Sequence, residues 1–95
     1  MSFDPQKFRS DFPPLSCAKP PVYLDSACVT LRPRSVISAC AEYYEKFPGC
    51  HLRGTHAFSR EASARFARAR AGAAAFIGAE DPSCVIFLRN TTEAI

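Results

Sequence analysis

Apolar residues recur along this chain in two helical stretches and one unbroken run. From Pro33 onward, Val36, Cys40, Tyr43 and Phe47 fall at i, i+4, i+7 and i+11, the spacing of one helix face. Pro48-Gly49 stops the pattern, so the spacing predicts a helix over 33–47. A loop over 50–58 holds both histidines. Beyond it Ala62, Phe66, Ala69, Ala73 and Phe76 alternate at intervals of four and three. A second helix is expected over 59–77, with Ser59 as N-cap, an alanine-rich interior and Gly78 as its C′ residue. Asp81-Pro82 makes a turn. Cys84-Val85-Ile86-Phe87-Leu88 is then apolar at every position, as in a strand buried on both faces of a parallel sheet.

The two ends carry shorter signals. Residues 4–12 predict a short helix with Asp4 as N-cap and Pro5 at the first helical position, ended by Pro13 and Pro14. Val22-Tyr23-Leu24 reads as a brief strand that stops at Asp25-Ser26. Asn90-Thr91-Thr92-Glu93 is a capping-box pattern, with Asn90 as N-cap and Glu93 at N3, and it announces a further helix. A doubly buried strand needs neighbours for its N–H and C=O groups, and no second run of comparable length is present. The expectation is therefore the N-terminal piece of a larger α/β protein. Residues 1–32 form an arm with a short helix and strand, and 33–95 begin a large domain.

Composition excludes several function classes. At 47% hydrophobic and 22% charged, the 95 residues are globular in character, without a low-complexity tract. The net charge of +3 is mild. Arg53, Arg60, Arg65, Arg68 and Arg70 read as a solvated helix face. A nucleic-acid surface would bring a stronger basic excess and exposed aromatics for stacking. Five cysteines are never spaced as a CxxC pair, and Met1-Ser2-Phe3-Asp4-Pro5 holds no apolar h-region. Free thiols in a reducing compartment follow from this, and the cytoplasm is the expected location. The apolar run at 71–79 is too short to span a bilayer. Neither a membrane nor nucleic acid is an expected partner. Cys50, His51 and His56 offer only three ligands at a spacing that matches no zinc finger, so no metal site is expected.

The junction at the end of the chain carries the chemistry. A strand feeding directly into a helix N-terminus directs unpaired N–H groups and a positive dipole end at one point, a phosphate site in form. Thr91 and Thr92 would add hydroxyls there, and Asn90 at the hinge tolerates a left-handed backbone. By itself the motif is more often an ordinary capped helix start than a cofactor loop.

Its surroundings extend this reading. Asp11-Phe12-Pro13, Val22-Tyr23-Leu24-Asp25-Ser26-Ala27, Leu31-Arg32-Pro33-Arg34-Ser35-Val36-Ile37, Glu42-Tyr43-Tyr44, Arg53-Gly54-Thr55-His56, Ala69-Arg70, Phe76-Ile77-Gly78-Ala79, and Ile86-Phe87 with Thr91-Thr92-Glu93-Ala94-Ile95 occur in that order. Together they resemble the N-terminal region of the class V aminotransferase family, in its cysteine desulfurase and selenocysteine lyase branch. The resemblance implies a fold-type I enzyme using pyridoxal 5′-phosphate, whose large domain is a mostly parallel sheet flanked by helices. It implies that Thr91 and Thr92 bind the cofactor phosphate. It further implies that Ala27 and Cys28 face the substrate, and that Arg53 and His56 lie in a loop at the active-site mouth. Cys28 also reads as a small core residue. The chain departs from the family pattern at Leu52, where histidine is common, at Cys28 and Val29, where Ala and Thr are common, and at Asn90, where Gly is common.

Such an enzyme also needs a lysine for the cofactor, a carboxylate on the pyridine nitrogen and, for a desulfurase, a nucleophilic cysteine. Lys7, Lys19 and Lys46 lack the family's Ser-x-His-Lys context, and no cysteine matches its sulfur-accepting position. No catalytic residue is expected within these 95 residues. The implied partners are a small amino-acid substrate, a second copy in a homodimer and a sulfur-acceptor protein. The competing expectation is a small non-catalytic protein that binds a partner or an anionic ligand.

Overall fold

Asp4 starts the first helix, α1 (Pro5–Ser10), in the computed structural model, which describes residues 3–95. Met1 and Ser2, which open the expected arm, lie outside the described residues. The Asp4 carboxylate accepts the N–H groups of Gln6 at 3.0 Å and Lys7 at 3.2 Å, and Pro5 fills the first helical position, where a missing N–H costs nothing. The helix is shorter than the expected 4–12. Pro13 and Pro14 cannot continue its ladder, and the chain tightens into a 3₁₀ turn, Pro13–Leu15. The Ser16 hydroxyl lies against the carbonyls of Ser10 and Phe12, tying this turn back to α1.

The chain divides into two compact units, one up to Glu45 and one from Lys46 to Ile95. In the first, the Arg34 N–H donates to the Asp11 carbonyl at 2.7 Å and holds the start of α2 (Arg34–Lys46) to the end of α1. α2 matches the expected 33–47 to within a residue at each end. Its apolar stripe is largely uncovered: Val36 and Ile37 are exposed, and Tyr43 is half-buried. The strand expected at Val22-Tyr23-Leu24 does not form. Tyr23 turns inward and its hydroxyl sits between the carbonyls of Asp25 and Val29, while Val22 and Leu24 point to solvent.

The second unit is organised around α3 (Ala57–Ile77), which begins two residues before the expected start. Its end is as expected. Gly78 adopts φ 73°, and the N–H groups of Ala79 and Gly78 return to the carbonyls of Ala74 at 2.9 Å and Ala75 at 3.3 Å. These two bonds form a Schellman cap, and they require a left-handed C′ residue for which glycine is the least strained choice. Phe66, at the middle of α3, gathers the packing. The His51 ring stacks on it at 4.2 Å, Phe87 meets it edge-on at 5.4 Å and the Arg70 guanidinium lies 5.1 Å from its centre. Arg65 covers the Phe47 ring at 4.2 Å and pairs with Glu61 at 2.7 Å. Arg65 and Arg70, expected on a solvated face, therefore lay their guanidinium groups over aromatic rings, while Arg53, Arg60 and Arg68 stay exposed as expected.

Past Gly78, Asp81 caps a 3₁₀ turn, Pro82–Cys84, by accepting from the Ser83 N–H at 2.8 Å and its hydroxyl at 2.6 Å. Those two bonds, the hydroxyl first, hold the Asp81 carboxyl below the usual carboxylate range. Val85 is extended, at φ −93° and ψ 119°, and residues 85–88 hold no regular secondary structure, so the strand expected over 84–88 does not form. Among the described residues there is no strand. The physical reason is shared by both missing strands: extended backbone becomes a strand only when a neighbour exchanges hydrogen bonds with it, and none is in place. Ile86, Phe87 and Leu88 stay exposed.

Candidate functional site

The most tightly built feature is the loop over 49–56, pressed onto the first turn of α3. Ser59 is fully buried, one of very few side chains that are. The expected N-cap role of Ser59 is corrected here. The cap is His56, whose Nδ1 accepts the Ser59 N–H at 3.4 Å, and Ser59 occupies the third helical position. The Ser59 hydroxyl lies 3.1 Å from His56 Nε2. Serine at N3 thus reaches back to the cap residue, a variant of the capping box in which both partners are side chains.

Two glycines let the loop close on this pair. A Cβ on Gly49 would stand 2.6 Å from Ser59 N and from the Phe58 carbonyl carbon. A Cβ on Gly54 would stand 2.3 Å from Ser59 Oγ and 3.1 Å from His56 Cδ2. Between them the chain turns at 51–53, with Leu52 at φ 58°, and the Leu52 N–H donates to Ser63 Oγ at 3.0 Å. Leucine in the left-handed region is strained, and the bond to Ser63 helps to hold it there. Arg53 is exposed at the end of that turn. Arg60 donates to the Thr55 carbonyl. Arg53 and His56 therefore share one loop, and Ser59 and Gly54, expected only as a helix cap and as part of the Arg53–His56 motif, define its path. The signal was present as Gly54-x-His56-x-x-Ser59, an N-cap and N3 spacing.

Thr91 and Thr92 open the short helix α4 (Thr91–Ala94), both exposed. Asn90 is the N-cap as expected, its Oδ1 accepting the Glu93 N–H at 2.9 Å. The left-handed hinge expected there is absent: Asn90 has φ −164° and ψ 172°, extended backbone open to any residue. Glu93 reaches back one residue further than a capping box requires. Its carboxylate accepts the Arg89 N–H at 2.7 Å and the guanidinium at 2.9 Å. The Arg89 guanidinium first, and its N–H second, hold the Glu93 carboxyl below the usual range.

Ala27 and Cys28 lie in the first unit, in a turn closed by the N–H groups of Cys28 and Val29 on the Asp25 carbonyl, both at 3.1 Å. Cys28 is exposed, which corrects its reading as a core residue. A cleft of about 360 Å³ adjoins this turn, walled by Phe8, Phe12, Leu15 and Leu31 with Arg9 and Ser26 at its polar side. All five cysteines are free. Among the described residues no three His, Cys, Asp or Glu side chains gather as a metal site, and no helix is long and apolar enough to cross a membrane.

Known proteins are similar to this chain in sequence. The family model described as Aminotransferase class-V matches residues 22–95. A cysteine desulfurase of Cronobacter sakazakii is 43% identical over 98 residues, which cover 100% of this chain and 24% of that protein. A cysteine desulfurase of Klebsiella pneumoniae is 42% identical, again over 100% of this chain and 24% of the relative. A probable cysteine desulfurase of Halobacterium salinarum is 39% identical over 96% of this chain and 23% of its own length. The chain spans about a quarter of the length of the curated relatives it matches.

Proposed function

This chain belongs to the class V aminotransferase family, and from that premise we propose that it is the N-terminal part of a pyridoxal-phosphate-dependent cysteine desulfurase acting on a small amino acid. The observation that carries the reading is the 43% identity to a cysteine desulfurase across the whole chain, which takes in both the 49–56 loop and the start of α4.

The donor set at α4 supports a place for the cofactor phosphate. Thr91 and Thr92 present two hydroxyls at the first turn, beside N–H groups that a helix start leaves without intrahelical partners. The one carboxylate in that turn, Glu93, is already neutralised by Arg89, so a phosphate would meet little repulsion. Thr91 and Thr92 would hold the phosphate. When bound, the cofactor supplies an electron sink for bonds broken at the substrate α-carbon. Ala27 and Cys28 form a wall toward the substrate, and Arg53 and His56 line the mouth. The lysine and the sulfur-accepting cysteine lie outside these residues, so the 95-residue chain alone has no complete active site.

The finer architecture follows the same reading. Residues 84–88 become a buried strand of a mostly parallel sheet once neighbouring strands pair with them; the extended Val85 and the exposed Ile86, Phe87 and Leu88 support this. The full-length enzyme is a homodimer that hands sulfur to an acceptor protein, and it works in the cytoplasm, where its thiols stay reduced. The test is expression of the whole reading frame that contains this segment, followed by cofactor titration and an assay of sulfide released from cysteine under reducing conditions. Stoichiometric cofactor binding with cysteine-dependent sulfide release is expected. A protein that binds the cofactor but releases no sulfide from cysteine refutes the desulfurase assignment.

A further inference from the structure

We infer that Ser59 is a positioning residue that holds His56 as the neutral Nε2–H tautomer and thereby sets the loop carrying Arg53. The tautomer stands on geometry alone; its consequence for substrate rests on the function proposed above.

A backbone N–H can only donate. The Ser59 N–H lies 3.4 Å from His56 Nδ1, so that nitrogen must offer its lone pair. A neutral imidazole with a bare Nδ1 carries its proton on Nε2, and Nε2 lies 3.1 Å from Ser59 Oγ, which accepts it. Both ring nitrogens are thus satisfied by one residue. Neither bond is short, so their effect is orientation more than energy: two contacts to a fully buried group leave the ring one pose.

The pair also dictates the path of the backbone. Residue 54 approaches so closely that even a methyl group there would overlap Ser59 Oγ, at 2.3 Å. Gly54 sits between Arg53 and Thr55, so the surface of the Ser59–His56 pair sets where Arg53 leaves the loop. His56, with both nitrogens turned onto Ser59, acts on substrate through the position it gives its neighbours and not through a free lone pair. Arg53, exposed in this loop, is a guanidinium available to an anionic substrate group.

The first measurement is a long-range ¹H–¹⁵N correlation spectrum of the ¹⁵N-labelled chain at about pH 8, with His51 as internal comparison. A protonated Nε2 and a bare Nδ1 at His56 are expected; a protonated Nδ1 overturns the inference whatever the enzyme does. The second uses the full-length protein. Ser59→Ala, checked for folding by circular dichroism, should raise KM for cysteine about tenfold with kcat within about twofold, the loss of about one hydrogen bond's positioning. Arg53→Ala should raise KM at least as much. If Arg53→Ala raises KM and Ser59→Ala does not, the positioning role fails and the substrate-side loop stands. If neither changes KM, the loop is not on the substrate side, and Ser59 has no positioning role in the reaction.

Discussion

Replacing Gly54 by alanine tests the closure of the 49–56 loop most directly. The added methyl would lie 2.3 Å from Ser59 Oγ, 3.0 Å from Ser59 Cβ and 3.1 Å from His56 Cδ2. The first distance is far inside van der Waals contact, and Ser59 has no solvent to move into because it is fully buried. Relief therefore comes by rotating the hydroxyl away from His56 Nε2 or by lifting the loop, and either breaks the 3.1 Å contact. Overpacking of this kind costs about 1–3 kcal/mol, and disturbing the His56 cap adds about 1 kcal/mol. We expect a loss of about 2–4 kcal/mol in urea unfolding followed by helical circular dichroism. The control is the double variant Gly54→Ala/Ser59→Ala. Deleting the hydroxyl removes the 2.3 Å overlap and leaves the tight but tolerable contacts at 3.0 and 3.1 Å. The double variant should be more stable than Gly54→Ala alone, with a coupling of about 1 kcal/mol or more. Additive losses would falsify the closure argument, because they would mean that the methyl never meets the hydroxyl.

Three further outcomes are expected. In the full-length enzyme, Thr91→Val and Thr92→Val each remove one hydroxyl donor, so cofactor affinity should fall on the order of tenfold to a hundredfold, from about 1.5–3 kcal/mol for a bond to a charged group. Absorbance titration checks this, and parental affinity in both variants would make Thr91 and Thr92 ordinary first-turn residues. Asn90→Ala should cost about 1 kcal/mol by freeing the Glu93 N–H, without any change from backbone strain, since Asn90 is extended; a thermal melt unchanged from the parent contradicts it. On acidification, Glu93 and Asp81 should keep their caps through the ordinary carboxylate range. Their folded pKa values are lowered, so the unfolded chain takes up protons first; the stabilisation is complete above the unfolded values and fades as pH falls through the folded ones. The Arg89 and Ser83 amide shifts report this, and midpoints at or above ordinary carboxylate values count against the two caps.

Helices were legible in the sequence because an α-helix satisfies its backbone within its own segment, so local spacing and end signals decide it. Asp4, Pro5, Gly78 and Asn90 mark ends that the structure keeps, and the periodicity of 33–47 and 59–77 places α2 and α3 to within two residues. The family was legible too, since its motifs are runs of neighbouring residues, and the matched region begins at residue 22. What sequence could not decide was anything requiring a distant partner. Residues 22–24 and 84–88 have strand composition, but composition supplies no neighbour to complete a ladder. Cys28 has the size of a core residue, but burial depends on what covers it, and it is exposed. Ser59 looked like a cap because serine before an alanine-rich stretch usually is one. Only the fold showed the loop returning over it, with Gly54 close enough to exclude a methyl group and His56 taking the cap, because that closure sets the Gly54 backbone against the Ser59 and His56 side chains, a contact that no single residue type announces.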